Sequence, residues 1–322
     1  MIPLKKNTSL SNEDTQLLTL FKAHFGDFLN LARIRLVCHF ITTLCKIKSV
    51  NYSKLSAGFD TNVKAASNYR RIQRFMSGAR LPMELVAKLI FALLPEKGPL
   101  ILVMDRTNWK LGESNINILM LGVCYKNVAF PLMFRMLDKR GNSNTGERIA
   151  LVKDFIAWFG RERIDCLLAD REFVGEDWLG FLNQENIRYH IRIRNNFKAF
   201  SLRQQTQVKA WHLFNNLKVG ELRHYQRIVK MHGQLCYLSG TKTIKDGRIE
   251  YLILVSFNRP DQALEYYGKR WQVETLFRGL KSSGFNIEDT HVIALERLEK
   301  LMLLVMIAFV WCYKIGDFID TQ

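Results

Sequence analysis

At 322 residues the chain exceeds the roughly 100–200 typical of one domain, so two or three units sharing a sizeable core are expected. Its 47 Lys and Arg against 30 Asp and Glu leave a formal net charge of +17, which favours a polyanionic partner, nucleic acid first and an acidic membrane surface second. With 48% hydrophobic residues spread along the chain, a basic disordered tail is excluded and the charge belongs on the surface of a folded protein.

The opening MIPLKKNTSLSNEDTQ carries lysines but no apolar run behind them, so neither a secretory signal nor an anchor is expected and the protein is placed in the cytoplasm. Residues 16–94 read as helices, because Leu17, Leu18, Leu20, Phe21, Phe25, Phe28, Leu29 and Leu31 recur at helical spacing and no strand pattern follows before residue 95. Within them, Ser53–Phe59, a break at Asp60 and Thr61, and Asn62–Met76 predict helix, turn, helix. The second of these helices carries Arg70, Arg71 and Arg74, with Lys64 and Asn68 a turn or two earlier. Three arginines on a short helix suit a recognition element in a DNA major groove, and a solvated basic face is the alternative reading.

The stretch PEKGP at Pro95–Pro99 is a breaker cluster and marks a domain boundary. Beyond it the period changes. A continuous apolar run from Leu100 to Met104 ends at Asp105; Ile116–Tyr125 and Val128–Met136 are two further strands, parted by Lys126 and Asn127. A helix from about Glu147 to Phe159 follows, then a strand from Ile164 to Ala169 ending at Asp170, a helix near Glu176–Asn186 and a strand over Arg188–Arg194. Three strands, then helix, strand, helix, strand, is the order of an α/β mixed sheet covered by helices. From Asn195 to Phe257 short strands predominate, at Gln226–Met231, Gln234–Gly240 and Glu250–Val255, with Lys and Arg interleaved. From Asp261 helices return. The longest apolar stretch, Leu301–Tyr313, is shorter than the roughly 18 residues of a membrane span, so a buried helix and no membrane partner are expected. Domains are therefore expected at 1–95, 96–194, 195–257 and 258–322, the second and fourth forming one body. The six cysteines show no C-x-x-C and no metal-ligand spacing with the seven histidines, as expected of reduced thiols.

Two strands of the inferred sheet, the first and the fourth, end in an aspartate, at VMD and LAD. Sites in open α/β sheets are built at the carboxyl ends of strands, and two carboxylates on adjacent strands repel unless cations neutralise them. Oxygen-only ligands of this kind suit Mg²⁺, with Mn²⁺ as a substitute. In the helix EYYGKRWQVETLFRGLK, Tyr267, Arg270, Glu274 and Lys281 recur at steps that place them on one face, while Trp271, Leu276 and Leu280 supply a core stripe. An ion pair of Arg270 with Glu274 on a solvated face is the alternative.

The spacing Y-x-x-R-x-x-x-E-x-x-x-x-x-x-K, matched by Tyr267, Arg270, Glu274 and Lys281, resembles the signature of the insertion-sequence-four family of bacterial DDE transposases. MDRTNWK at Asp105 and LADREF at Asp170 are similar to that family's first and second acidic regions. The resemblance covers residues from about 100 to 285. It implies an RNase H-like catalytic domain with a β-rich insertion before the glutamate helix, behind an N-terminal all-α DNA-binding domain. It also implies Asp105, Asp170 and Glu274 as catalytic metal ligands for two-metal strand cleavage and strand transfer, with Tyr267, Arg270 and Lys281 on DNA. The implied partners are the terminal inverted repeats and target DNA, held by a homodimer in a synaptic complex at the bacterial nucleoid. Trp211 in the insertion is a candidate for stacking on a displaced base. A nuclease or resolvase on the same fold, or an inactive DNA-binding derivative, would share most of these residues.

Overall fold

Residues 12–111, 114–281 and 284–320 are described by the computed structural model. The chain begins with helices α1 (Asn12–Phe25), α2 (Leu31–Ile47), α3 (Tyr52–Gly58), α4 (Ala65–Gly78) and α5 (Met83–Leu93). Asn30 caps α2 by accepting the Arg33 N–H, and Asn51 caps α3 by accepting those of Ser53 and Lys54, so the sequence itself marks both starts. On α2 the buried residues Ile34, Val37, Ile41 and Leu44 follow helical steps. The helix, turn, helix order of 53–76 is present, but the connector is longer than the two residues expected and α4 begins at Ala65 instead of Asn62. Buried Asn68 donates to Thr61 Oγ1 at 3.0 Å and to the Val63 carbonyl at 3.3 Å, which folds the connector back onto the helix. Ile72, Phe75 and Met76 bury the same face of α4, leaving Arg70, Gln73 and Arg74 exposed.

The second part is, among the described residues, a single ten-stranded sheet. Its first strands are β1 (Leu100–Leu111), β2 (Ser114–Tyr125) and β3 (Val128–Met136), an antiparallel meander. Contrary to expectation, β1 does not stop at Asp105. Up to Met104 it lies between β2 and the parallel strand β4 (Ile164–Ala169), whereas beyond that only the ladder to β2 continues, to Leu111. The continuous apolar run ends at Met104. Alternation follows, with Thr107 and Trp109 buried and Asn108 and Lys110 exposed, so the strand outlasts its hydrophobic signal.

Helix α6 (Thr145–Phe159), opened by a capping box between Asn144 and Glu147, leads to β4; α7 (Glu176–Gln184) then leads to β5 (Tyr189–Ile193), parallel to β4. The strands of 195–257 are β6 (Lys198–Ser201), β7 (Thr206–Lys209), β8 (Leu222–Met231), β9 (Gln234–Lys245) and β10 (Arg248–Ser256). Because β10 pairs antiparallel with β5, this β-rich segment extends the same sheet. Its hairpins turn at His232-Gly233 and Asp246-Gly247, all four residues with positive φ, as tight two-residue turns require. The strands β6 and β7 lie beyond those read from sequence.

The glutamate helix is not continuous. It runs as α8 (Ala263–Gly268), a 3-10 turn over Lys269–Trp271 and α9 (Gln272–Leu280). The tight turn has about three residues per turn against about 3.6, so it shifts the phase of everything after it. Val273, Leu276 and Leu280 become the buried stripe, and Trp271, expected in that stripe, is 57% exposed. A last long helix, α10 (Leu295–Asp320), carries the apolar stretch and buries every residue from Leu301 to Met306. Among the described residues no helix is long and apolar enough to cross a membrane.

Contacts divide the chain into two compact units: the described residues of Met1–Leu93 with Arg278–Gln322, and Leu94–Phe277. The break after residue 93 falls beside the PEKGP stretch. The reading of 258–322 as one piece with the sheet differs from these contacts, because α10 packs on α2, α4 and α5. An all-apolar helix carries no sign of which neighbours will cover it, so its sequence could not specify the partner.

Candidate active site

Parallel pairing of β1 with β4 sets Met104 opposite Ala169, so Asp105 and Asp170 follow at the same level of the sheet, where pairing ends and backbone gives way to side chains. Asp105 is held in place by the N–H of Arg106, which donates to Oδ1 at 2.7 Å. Burial pushes its carboxyl up to about 6; Arg106 N–H and the Arg270 guanidinium pull it down, and Glu172 and Asp170 add to the rise.

The segment α8–α9 brings three more side chains to this place. Tyr267 Oη donates to Asp170 Oδ1 at 3.3 Å, and burial raises its phenol above the usual tyrosine range. Arg270 donates from Nη1 to Asp105 Oδ2 and from Nη2 to Glu274 Oε1, each at 3.1 Å. Its side chain is only 6% exposed, so this is not the solvated ion pair weighed as an alternative. Burial alone would lower the Arg270 guanidinium, but Tyr267, Asp105, Asp170 and Glu274 together raise it. Arg270 lies in the 3-10 turn and Tyr267 near the end of α8 just before it. Tyr267 thus bonds the second of the two strand-end aspartates.

Of the four signature residues, Lys281 follows the end of α9 and pairs with Glu288 at 3.0 Å. Trp211 is half-buried, stacked on His212 at 3.9 Å and tilted against Tyr251. On α4, Arg71 donates to Asn68 Oδ1 at 3.2 Å and is partly buried, which distinguishes it from exposed Arg70 and Arg74.

A supporting network went unread in the sequence. Arg106 reaches Glu172 Oε1 at 3.3 Å, Asn117 Oδ1 at 3.0 Å and Asn142 Oδ1 at 3.3 Å. Buried Asn117 donates to the carbonyls of Lys139 and Gly141, so the loop after β3 is fastened beside the first aspartate. Buried Arg148 donates to Ser143 and covers the Phe173 ring at 4.9 Å, which anchors the turn after Asp170. The signal available was charge beside charge: Arg106 follows Asp105 directly, and Glu172 lies two residues past Asp170.

The donors gathered here are carboxylate oxygens, the ligand class of hard divalent cations, and a guanidinium already stands in as counter-ion to two of them. Among the described residues no three His, Cys, Asp or Glu side chains converge tightly enough to hold an ion as they stand. In comparison with known families, a model described as the transposase DDE domain matches residues 96–311. No curated protein matches the chain.

Proposed function

Since the chain belongs to the transposase DDE domain family, we propose that this DNA transposase is of the insertion-sequence-four kind, cutting and rejoining DNA at the ends of its element with Asp105, Asp170 and Glu274 as catalytic carboxylates. The observation that carries the reading is the in-register placement of Asp105 and Asp170 on paired parallel strands, with Glu274 joined to Asp105 through Arg270.

The three carboxylates would hold divalent cations, Mg²⁺ with Mn²⁺ as a substitute. Bound there, two such ions supply activation of the attacking oxygen and stabilisation of the leaving oxygen in an in-line displacement at phosphorus. The residues around them position and balance charge. The Arg106 N–H fixes one rotamer of Asp105, and the Tyr267 hydroxyl fixes Asp170. Water attacks first, breaking the phosphodiester and releasing a 3′-hydroxyl. That hydroxyl then attacks a phosphodiester of the target, so one bond forms as another breaks. Arg270 and Lys281 neutralise phosphates beside the scissile bond, and Arg70 and Arg74 on α4 bind the element's terminal repeats. Arg71 supports α4 through Asn68 as well as adding charge. Residues 1–95, with the helix α10 that packs on them, serve as the DNA-binding unit, 96–194 and 258–277 as the catalytic unit, and 195–257 as the insertion, with a homodimer bringing two element ends together.

The test is cleavage and strand transfer on DNA carrying the element's ends. Asp105→Asn and Asp170→Asn should each abolish both while DNA affinity measured in EDTA stays within about twofold, because ligand charge is lost and phosphate contacts are not. Activity above a few per cent in either variant would remove that residue from the site. Cleavage without joining would mark a nuclease or resolvase instead.

A further inference from the structure

The most unusual side chain in the site is Arg270. A cation almost wholly buried, it spans two carboxylates on different elements, one on β1 and one on α9, and one terminal nitrogen serves each. Its third donor, Nε, is buried with no hydrogen-bond partner. A guanidinium with a buried donor unmet is short of its best seat, because that lost bond is a desolvation cost with no return. Beside it lies the Trp271 ring, 4.9 Å from the guanidinium carbon and 57% exposed.

The oxygens that Arg270 occupies, Asp105 Oδ2 and Glu274 Oε1, belong to two of the three carboxylates assigned above to the cations. A guanidinium and a divalent ion cannot share them. The carboxylates also fail to converge as they stand, consistent with a planar spacer between two of them. A DNA phosphate offers Arg270 what its present seat lacks, a bidentate acceptor outside the acidic cluster.

We propose that Arg270 is an internal counter-ion that keeps divalent metal off Asp105 and Glu274 until a DNA phosphate draws its guanidinium away. This rests on the reading of Asp105 and Glu274 as metal ligands. Its consequence is a linkage: DNA raises the affinity of the site for metal, and by reciprocity metal raises the affinity for DNA by the same factor. Metal is then admitted chiefly to the DNA complex.

The experiment is titration of the metal-stripped full chain with Mn²⁺, followed by electron paramagnetic resonance, with and without a short random-sequence duplex and with duplex alone subtracted. Wild type should bind Mn²⁺ about tenfold more tightly with duplex than without, as when a ligand releases a site from a closed population. Arg270→Gln should bind about tenfold more tightly than wild type without duplex, and duplex should add less than about twofold. Arg270→Lys, whose single ammonium cannot span both carboxylates, should fall between them. Circular dichroism decides whether Arg270→Gln is folded; if it is not, the comparison of Arg270→Lys with wild type decides the matter. Binding by the folded variant no tighter than wild type overturns the proposal. The underlying assignment fails differently, by Asp105→Asn leaving Mn²⁺ affinity of the otherwise wild-type protein unchanged.

Discussion

Replacing Asp105 by Asn should yield a protein that is inactive and yet, free of metal, more stable than wild type at alkaline pH. The carboxyl sits on the buried strand β1, 19% exposed, and burial holds it at about 6 against an ordinary 3.8. Its folded value is raised, so the folded state binds the extra proton. The stabilisation this gives is complete below about pH 4 and is lost as pH rises through 6. Ionised at pH 8, the group costs about 3 kcal/mol, at roughly 1.36 kcal/mol per tenfold in the proton equilibrium. Asparagine matches the shape and can still accept the Arg106 N–H that now goes to Oδ1. It removes the charge, so up to about 3 kcal/mol should be gained at pH 8 and close to nothing at pH 4. Urea unfolding in EDTA, followed by tryptophan fluorescence at both pH values, measures the difference directly. A variant less stable than wild type at pH 8, or equally shifted at both pH values, would show that Arg270 compensates the ionised carboxylate fully and that burial does not dominate. A gain in stability alongside lost cleavage would also exclude misfolding as the cause of inactivity.

Three other outcomes are expected. Tyr267→Phe, which removes only the bond to Asp170, should slow single-turnover cleavage by about threefold to thirtyfold and lower stability by no more than about 1 kcal/mol; an unchanged rate would deny the hydroxyl a positioning role. His190, buried between β5 and β10 with Nδ1 2.8 Å from Ser256 Oγ, is pushed down to about 4 by burial and then by Arg188. Its folded value is depressed, so stability should be full above about pH 6.5 and fall by about 3 kcal/mol towards pH 4, a slope that urea unfolding of His190→Gln should lack. On α4, Arg70→Ala and Arg74→Ala should each weaken DNA binding and reduce its salt slope by about one, whereas Arg71→Ala should also lower the melting temperature because Asn68 Oδ1 loses the donor that Arg71 supplies. Equal melting temperatures for all three would refute that distinction.

Much of this architecture was written in local order. Apolar runs announced β2, β3 and β4 nearly residue for residue, since a strand covered on both faces must be apolar throughout. The aspartate ending LAD was legible for the same reason, as the first polar residue where β4 runs out. The steps from Tyr267 to Arg270 to Glu274 were legible because helical geometry places such residues together. What those residues would touch was not. That Arg270 spans Asp105 and Glu274, and that Tyr267 bonds Asp170, depends on β1 and β4 being paired in parallel with α8 and α9 laid against their ends. No local pattern encodes a contact across 97 or 165 positions. The 3-10 turn that exposes Trp271 likewise has no signature of its own, and β1 outran its apolar run because one of its two neighbours stops at Met104. Local spacing therefore named residues that meet in the candidate site, while the pairing of distant strands decided their partners, because hydrogen bonds and buried charge are settled only where segments far apart in sequence meet.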